Sequence, residues 1–277
     1  MQKAAHKIEV TSTFFVIKSH DEWELEWHYF LSEFESHSTY HRPEWLQALS
    51  DYSNFKLFLF VLKIDSKIVA GAPMLFMQRY MFRKNMISLS CVNYGGVLAY
   101  SSELTLRLIE YAKEWARGKD IDFFEFRATT PRLNLPVKSE KCSMILPLPS
   151  TNKQLGEKLT AKVRAQYKKS SAYKPEVLFG GLALLEDFYK VFARNMIDLR
   201  TPVYSKSIFR KILIKKETNS FSCVVKINNK LVSVIFLQGY RDILEVPWVA
   251  ILKAANMWMY RMILQKAIDL GYEYFDF

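Results

Sequence analysis

Apolar and polar positions along this chain fall into an order of elements that occurs twice. Residues 57–62 and 69–76 are crowded with Leu, Phe, Val, Ala and Met, and between them stands Lys63-Ile64-Asp65-Ser66-Lys67-Ile68. Residues 221–225 and 232–237 are built the same way around Lys226-Ile227-Asn228-Asn229-Lys230-Leu231. Asp-Ser and Asn-Asn are turn pairs, and Asn tolerates the left-handed backbone of a tight hairpin, so each segment predicts a β-hairpin. A helix follows after one or two further strand-like pieces. In the first half Ser101-Ser102 supplies an N-cap, Leu104, Leu108, Tyr111, Ala112 and Trp115 share one face, and Gly118 is the stop. In the second half residues 255–270 carry Met259, Met262, Ile263 and Ala267 at helical spacing, with Gly271 as the stop. Each helix leads into an aromatic strand, Ile-Asp-Phe-Phe-Glu-Phe at 121–126 and Tyr-Phe-Asp-Phe at 274–277.

A spacing near half the chain is far beyond the ~20–50 residues of solenoid repeats. It argues for two tandem copies of one α+β domain, residues 1–149 and 150–277. In the first copy another strand-like run, residues 142–148, follows the aromatic strand. Nothing equivalent follows Phe277, so the second copy is expected to lack its last strand or strands by truncation. Between the copies Pro147-Leu148-Pro149-Ser150-Thr151 opens a helix in which Leu155, Leu159, Val163 and Tyr167 form a thin stripe at i, i+4 spacing. Residues 184–196 predict a second helix with Leu184, Phe188, Val191 and Phe192 inward. Ser205 caps a third, with Phe209, Ile212 and Leu213 inward.

Composition narrows the class. Of 277 residues 50% are hydrophobic and 15% aromatic, enough for a sizeable core and incompatible with a disordered chain. Three cysteines without a C-x-x-C pair make neither a disulfide framework nor a zinc knuckle, which suits a reducing, cytoplasmic setting. Lys63, Asp65 and Lys67 interrupt the most apolar stretch, so no membrane span is expected, although a basic face can still touch a membrane. Lys and Arg number 39 against 28 Asp and Glu, a net charge of +11 that favours an anionic partner. Seven of those cations fall within residues 153–174, among them Lys162, Arg164 and Lys168, with Tyr167 and Tyr173 interleaved. This face reads as a surface for phosphates and bases, or as a merely solvated one.

Familiar chemistry is scarce. The sequence has no G-x-x-x-x-G-K-[ST], no G-x-G-x-x-G and no G-x-S-x-G. His37 and His41 stand four apart, but Pro43 follows closely and no Glu lies between them, so a polar wall or loop contact fits better than a metal site. Asn93-Tyr94-Gly95-Gly96 permits close backbone approach, and equally a plain turn. Residues 199–206 mix Arg200, Thr201, Pro202, Tyr204 and the N-cap Ser205, a loop fit to hold an anion or simply to connect helices. Asn256, Tyr260 and Arg261 open the last helix beyond a strand ending near Trp248, and Arg127 directly follows the first aromatic strand. No general base stands out; Asp276 reads as a base or as a strand-edge carboxylate.

Taken together, Asn93-Tyr94-Gly95-Gly96, Phe124-Glu125-Phe126-Arg127, the run from Lys162 to Lys169, Leu199-Arg200-Thr201-Pro202-Val203, Ala255-Asn256-Met257 with Tyr260, and the end from Gly271 to Phe277 resemble the FemAB family. The resemblance spans roughly residues 40–277 and is greatest to the branch associated with XrtA/PEP-CTERM exosortase and exopolysaccharide systems. It implies an α+β fold of two tandem GNAT-like domains, mixed sheets flanked by helices. It also implies an N-acyltransferase that passes an aminoacyl or acyl group to an amine of a cell-wall or exopolysaccharide precursor. The reaction would be direct aminolysis of an activated ester or thioester, with no bound cofactor and with aminoacyl-tRNA or acyl-CoA as co-substrate. On this resemblance Tyr94, Arg127, Arg200, Thr201, Tyr204, Asn256 and Tyr260 line the substrate site, and Lys162, Arg164 and Lys168 hold donor phosphates. Two departures stand out: Arg200 replaces the family glycine, and the family's Gly-Arg-Ser end is absent, which puts the activity of this chain in question. The competing reading is a non-catalytic module for RNA or an anionic glycan, or an inactive fragment.

Overall fold

The computed structural model describes residues 10–16, 23–34, 37–50, 55–78, 83–128, 136–138, 142–251 and 256–277. The chain divides into two compact units, Met1–Lys138 and Ser139–Phe277. In the first, β1 (Val10–Val16) is followed by helices α1 (Trp23–Ser32) and α2 (Pro43–Ser50). The hairpin β2 (Phe55–Ile64) and β3 (Lys67–Gln78) comes next, then β4 (Lys84–Ile87), β5 (Leu98–Ala99), α3 (Ser102–Arg117) and β6 (Phe123–Glu125). The strands lie in the order β1-β2-β3-β4-β6, with β5 beside β3 and with β4 and β6 parallel. Phe58, Phe60, Leu62, Met74 and Met86 of the sheet pack against Leu108 and Ala112 of α3.

The second unit opens with β7 (Ile145–Pro147), α4 (Asn152–Lys158), α5 (Ala161–Ser171) and β8 (Glu176–Gly180). Helices α6 (Leu185–Asp198) and α7 (Lys206–Ile214) follow, then β9 (Ser220–Ile227), β10 (Lys230–Tyr240), β11 (Ile243–Ile251), α8 (Asn256–Asp269) and β12 (Tyr274–Asp276). Its strand order is β7-β12-β11-β10-β9-β8, again with one parallel pair, β11 and β12. Strand, two helices, hairpin, strand, helix, parallel strand is therefore the plan of both units. The hairpin echo is physical: Asp65 and Ser66 (φ 50° and 64°) and Asn228 and Asn229 (φ 49° and 60°) all take positive φ, the signature of a type I′ turn. Met259, Ile263, Leu264 and Ala267 of α8 close over Val225, Ile235, Leu244 and Phe275 on one sheet face. On the other face Phe188 and Phe192 of α6 and Phe209 of α7 pack with Phe236 and Trp248 at centroid distances of 5.0–5.7 Å.

Three expectations change and one holds in another form. Residues 142–148 are not the end of the first sheet: β7 pairs antiparallel with β12 through Phe275↔Leu146, so it holds the place beside β12 and the division falls at 138/139 rather than 149/150. The single basic helix is two, because Thr160 interrupts it and accepts from the Val163 amide as a new N-cap, leaving Leu159 extended. Helix α3 does stop at Gly118, but that glycine is right-handed at φ −66°; the left-handed turn is made by Asp120. In α7 the buried set is Ile208, Phe209 and Ile212, with Leu213 only half-buried.

Candidate functional site

The end of the β11–β12 pairing combines broken backbone regularity with buried acidic side chains. The two strands share three rungs, Ile243↔Tyr274, Leu244↔Phe275 and Glu245↔Asp276, while β11 runs on to Ile251. On its other edge Gln238 opposes Glu245 and Phe236 opposes Trp248, so β11 spends one extra residue at Val246-Pro247. This is a β-bulge, a device that bends the strand and re-aims its groups, and Pro247 suits it because it has no N–H to give to a ladder. Leu244 and Phe275 belong to the core under α8, so Glu245 and Asp276 point to the opposite face. Both carboxylates are buried. They end a polar row that crosses four strands: Ser220, Gln238, Glu245 and Asp276 stand in consecutive register. Within it Ser220 Oγ donates to Gln238 Oε1, and Gln238 Nε2 donates to the Gly239 carbonyl at 2.8 Å and to the Thr218 carbonyl.

Aromatic side chains border this end on both faces. Trp248 packs at 6.2 Å from Tyr204, whose carbonyl accepts from the Tyr189 hydroxyl at 3.0 Å. On the α8 face the Tyr260 ring stands 5.5 Å from Phe277, and burial pushes the Tyr260 hydroxyl above its usual pKa. One turn earlier Asn256 opens α8 with its Oδ1 buried and, among the described residues, without a hydrogen-bond partner. Tyr204, Asn256 and Tyr260 are thus the sequence candidates that the fold carries to the β11–β12 end.

The other candidates lie elsewhere. Arg200 and Thr201 are exposed and form the end of α6: the Thr201 amide donates to Met196 O and the Arg200 amide to Ile197 O, both at 2.9 Å, with Arg200 at φ 55°. That is a Schellman cap, whose left-handed position favours glycine. The start of α7 is occupied by its own groups, since Ser205 Oγ accepts from the Ser207 amide and Lys206 Nζ pairs with Glu186 at 2.9 Å. Lys162, Arg164 and Lys168 are exposed on α5. Glu245 and Gln238 were not singled out from the sequence; the available signal was one charged residue inside the apolar run Ile243-Leu244-Glu245-Val246, followed at once by Pro247.

Tyr94 and Arg127 sit in the first unit, around a long excursion. There β4 stops at Ile87 and the strand resumes only as β5, after residues 88–97. The excursion is stitched to the chain beyond β6. The Ser88 amide donates to Glu125 O at 2.9 Å, the Arg127 amide to Ser88 Oγ at 2.6 Å, and the Gly95 amide to Arg127 O at 3.2 Å. The Arg127 guanidinium donates to Val92 O at 2.7 Å and pairs with Glu125 at 3.3 Å. At Gly96 a Cβ would stand 3.0 Å from the Ala128 Cα, tighter than an ordinary contact, so a glycine eases this close backbone approach. His41 seals the loop, its Nε2 2.9 Å from Gly96 O and its Nδ1 2.9 Å from Ser38 Oγ, and burial pushes its pKa down to about 4.

No protein-family profile matches the chain, and no curated protein matches it. Among solved structures it is similar to FemX, with a TM-score of 0.61 and 11% identity over 96% of this chain and 88% of that one. It is also similar to a tandem GNAT protein from the clavulanic acid biosynthesis pathway, with a TM-score of 0.53 and 9% identity over 96% and 89%. L-PGS from Bacillus licheniformis gives a TM-score of 0.51 and 13% identity over 92% and 77%. At such identities the likeness is one of fold. The chain is an α+β protein of two tandem GNAT-like units, with mixed sheets flanked by helices.

Proposed function

We propose that this chain is an N-acyltransferase, passing an acyl or aminoacyl group from an activated ester or thioester to an amine of a cell-wall or exopolysaccharide precursor. The observation that carries the reading is the β11–β12 end, a bulged strand beside two buried carboxylates in a tandem fold shared with FemX over nearly its whole length. Aminolysis needs a group to take the proton from the attacking amine, and Glu245 with Asp276 supplies a carboxylate there. It also needs donors for the oxyanion that forms at the attacked carbonyl, a role for backbone N–H groups of β11 beyond the bulge. Tyr204, Asn256 and Tyr260 shape the acceptor pocket. Lys162, Arg164 and Lys168 meet the phosphates of the donor, either aminoacyl-tRNA or acyl-CoA. Arg127 holds the first unit's loop instead, with Tyr94 inside that loop, and Arg200 and Thr201 end a helix at the surface.

Among the described residues no helix is long and apolar enough to cross a membrane. The reading places the protein in the cytoplasm, with contact to a membrane surface through its cationic face. The test is transfer itself: purified protein is incubated with candidate amines and either charged tRNA or acyl-CoA, and products are identified by mass spectrometry. Transfer from one donor class, abolished in Glu245→Gln, is the expected result. No transfer from either class overturns the reading and leaves a binding module.

A further inference from the structure

The second unit carries nearly all of the chain's cationic excess. Lys and Arg number 17 against 16 Asp and Glu in residues 1–138, and 22 against 12 in residues 139–277. Part of that excess lies in residues 153–174, which include α4 and α5. The rest lies in α6, α7 and the chain beside them, where residues 185–217 carry eight Lys and Arg against four Asp and Glu. Three of those four acids are already paired: Glu186 with Lys206 at 2.9 Å, Asp187 with Lys226 at 2.8 Å and Asp198 with Arg194 at 3.2 Å. Lys190, Arg200 and Arg210 are exposed and, among the described residues, form no ion pair.

Helical geometry gathers these cations on one surface with aliphatic side chains. In α6 Leu185, Phe188, Val191 and Phe192 are buried toward the sheet, so Lys190, Arg194 and Ile197 form the opposite stripe. In α7 Ile208, Phe209 and Ile212 are buried, and Ser207, Arg210 and Ile214 look outward. Phe188 and Phe209 both pack on Phe236, so the two stripes face away from the same side of the sheet. Helix α5 belongs to the other side, where Tyr167 stacks on Trp258 of α8. Ile197 and Ile214 are 64% and 57% exposed, and Leu199 at the end of α6 is 63% exposed. Exposed aliphatic groups set among cations gain by entering an apolar medium beneath a layer of negative charge. No exposed side chain of α6 or α7 is aromatic, whereas surfaces for nucleic-acid bases or for the centre of a protein interface favour aromatic rings. Long cationic side chains can lie along a bilayer surface and reach its headgroups while their aliphatic neighbours dip below.

We propose that the outer surface of α6 and α7 docks the second unit on an anionic lipid bilayer, which rests on the membrane contact in the reading above and locates it. Ile197, Leu199 and Ile214 enter the interface, and Lys190, Arg200 and Arg210 meet the headgroups. Flotation of the full chain with vesicles of phosphatidylcholine and phosphatidylglycerol in equal parts tests it. The protein should float with these vesicles and stay behind with phosphatidylcholine alone. Lys190→Gln with Arg210→Gln should weaken binding roughly 10- to 30-fold, the weight of two cations near an anionic surface. Ile197→Ser with Ile214→Ser should weaken it by about tenfold or more. Arg107→Gln with Lys113→Gln, an equal loss of charge on α3 of the first unit, should leave it unchanged. Equal weakening by that control, or full binding in both α6–α7 pairs, overturns the surface. Should one of those pairs fail to melt like the parent by circular dichroism, the other decides. Binding lost in Lys162→Gln with Lys168→Gln but kept in the α6–α7 pairs overturns the surface and keeps the membrane contact, moved to α5. Acyl transfer without any vesicle binding by the parent overturns the membrane contact and keeps the acyltransferase. Binding of bulk tRNA that depends on Lys190 and Arg210, without vesicle binding, overturns the lipid partner and assigns RNA.

Discussion

The same sheet row exists in both units and carries opposite chemistry. In the first unit it reads Leu57, Leu75, Ile87 and Glu125 across β2, β3, β4 and β6. In the second it reads Ser220, Gln238, Glu245 and Asp276 across β9, β10, β11 and β12. Where the second unit bulges by a single residue after Glu245, the first leaves the strand for residues 88–97 and ties that excursion down with Ser88, Gly95 and Arg127. One copy therefore keeps its row apolar as far as β6, where Glu125 ends it, and fills the end of its parallel strands with its own loop. The other makes the row polar and leaves β11 running past its partner. A duplicated scaffold can thus divide labour without changing topology, because a bulge or an excursion at one rung decides what that rung presents.

The sharpest way to break this comparison is to neutralise the equivalent carboxylate region in each unit. Glu245→Gln should lower single-turnover transfer by roughly 10²- to 10⁴-fold, the usual weight of a general base. Glu125→Gln should leave the chemical step within about twofold, since Glu125 pairs with Arg127 in the first unit's loop and takes no part in the chemistry proposed for the second unit. Equal losses would mean that the two rows are not functionally distinct. A second test addresses the seal of the first unit. His41 has a folded pKa of about 4 against 6.5 for a free imidazole, so between those values the unfolded chain takes a proton that the folded one refuses. Stability is therefore complete above about pH 6.5 and falls as pH drops toward 4, by on the order of 3 kcal/mol. Urea unfolding across that range should show the slope, and His41→Gln should flatten it. The smallest effect concerns helix ends. Arg200→Gly should stabilise by roughly 1 kcal/mol by removing a left-handed non-glycine, and Gly271→Ala, at φ +85°, should destabilise by about the same. Thermal melts of both variants check the pair.

Local chemistry made much of this fold legible. The hairpin turns, the Ser101, Thr151 and Ser205 caps and the α8 stop at Gly271 all follow from residues that act on their immediate neighbours. What resisted was non-local. Nothing in residues 142–148 says which sheet they join, because strand pairing is fixed by partners far along the chain. The polar row was invisible for the same reason: Gln238 and Glu245 are unremarkable one at a time, and register alone sets them beside Asp276. Tyr204, Asn256 and Tyr260 could be proposed from sequence because they stand at or within about a turn of an element's start, where sequence patterns are loudest. Arg200 shows the converse, a motif position whose glycine preference proves to be a demand of backbone geometry at a helix end.

The placement of β7 has a consequence for how the second unit can be made. Its edge strand is synthesised well before its partner β12, so the rung Phe275↔Leu146 closes only after the intervening strands and helices have emerged. Pairings this distant in sequence are slow to form, and until they do β12 presents an open edge to other chains. A version begun at residue 150 would carry that open edge permanently. It should therefore aggregate where one begun at residue 142 stays dispersed.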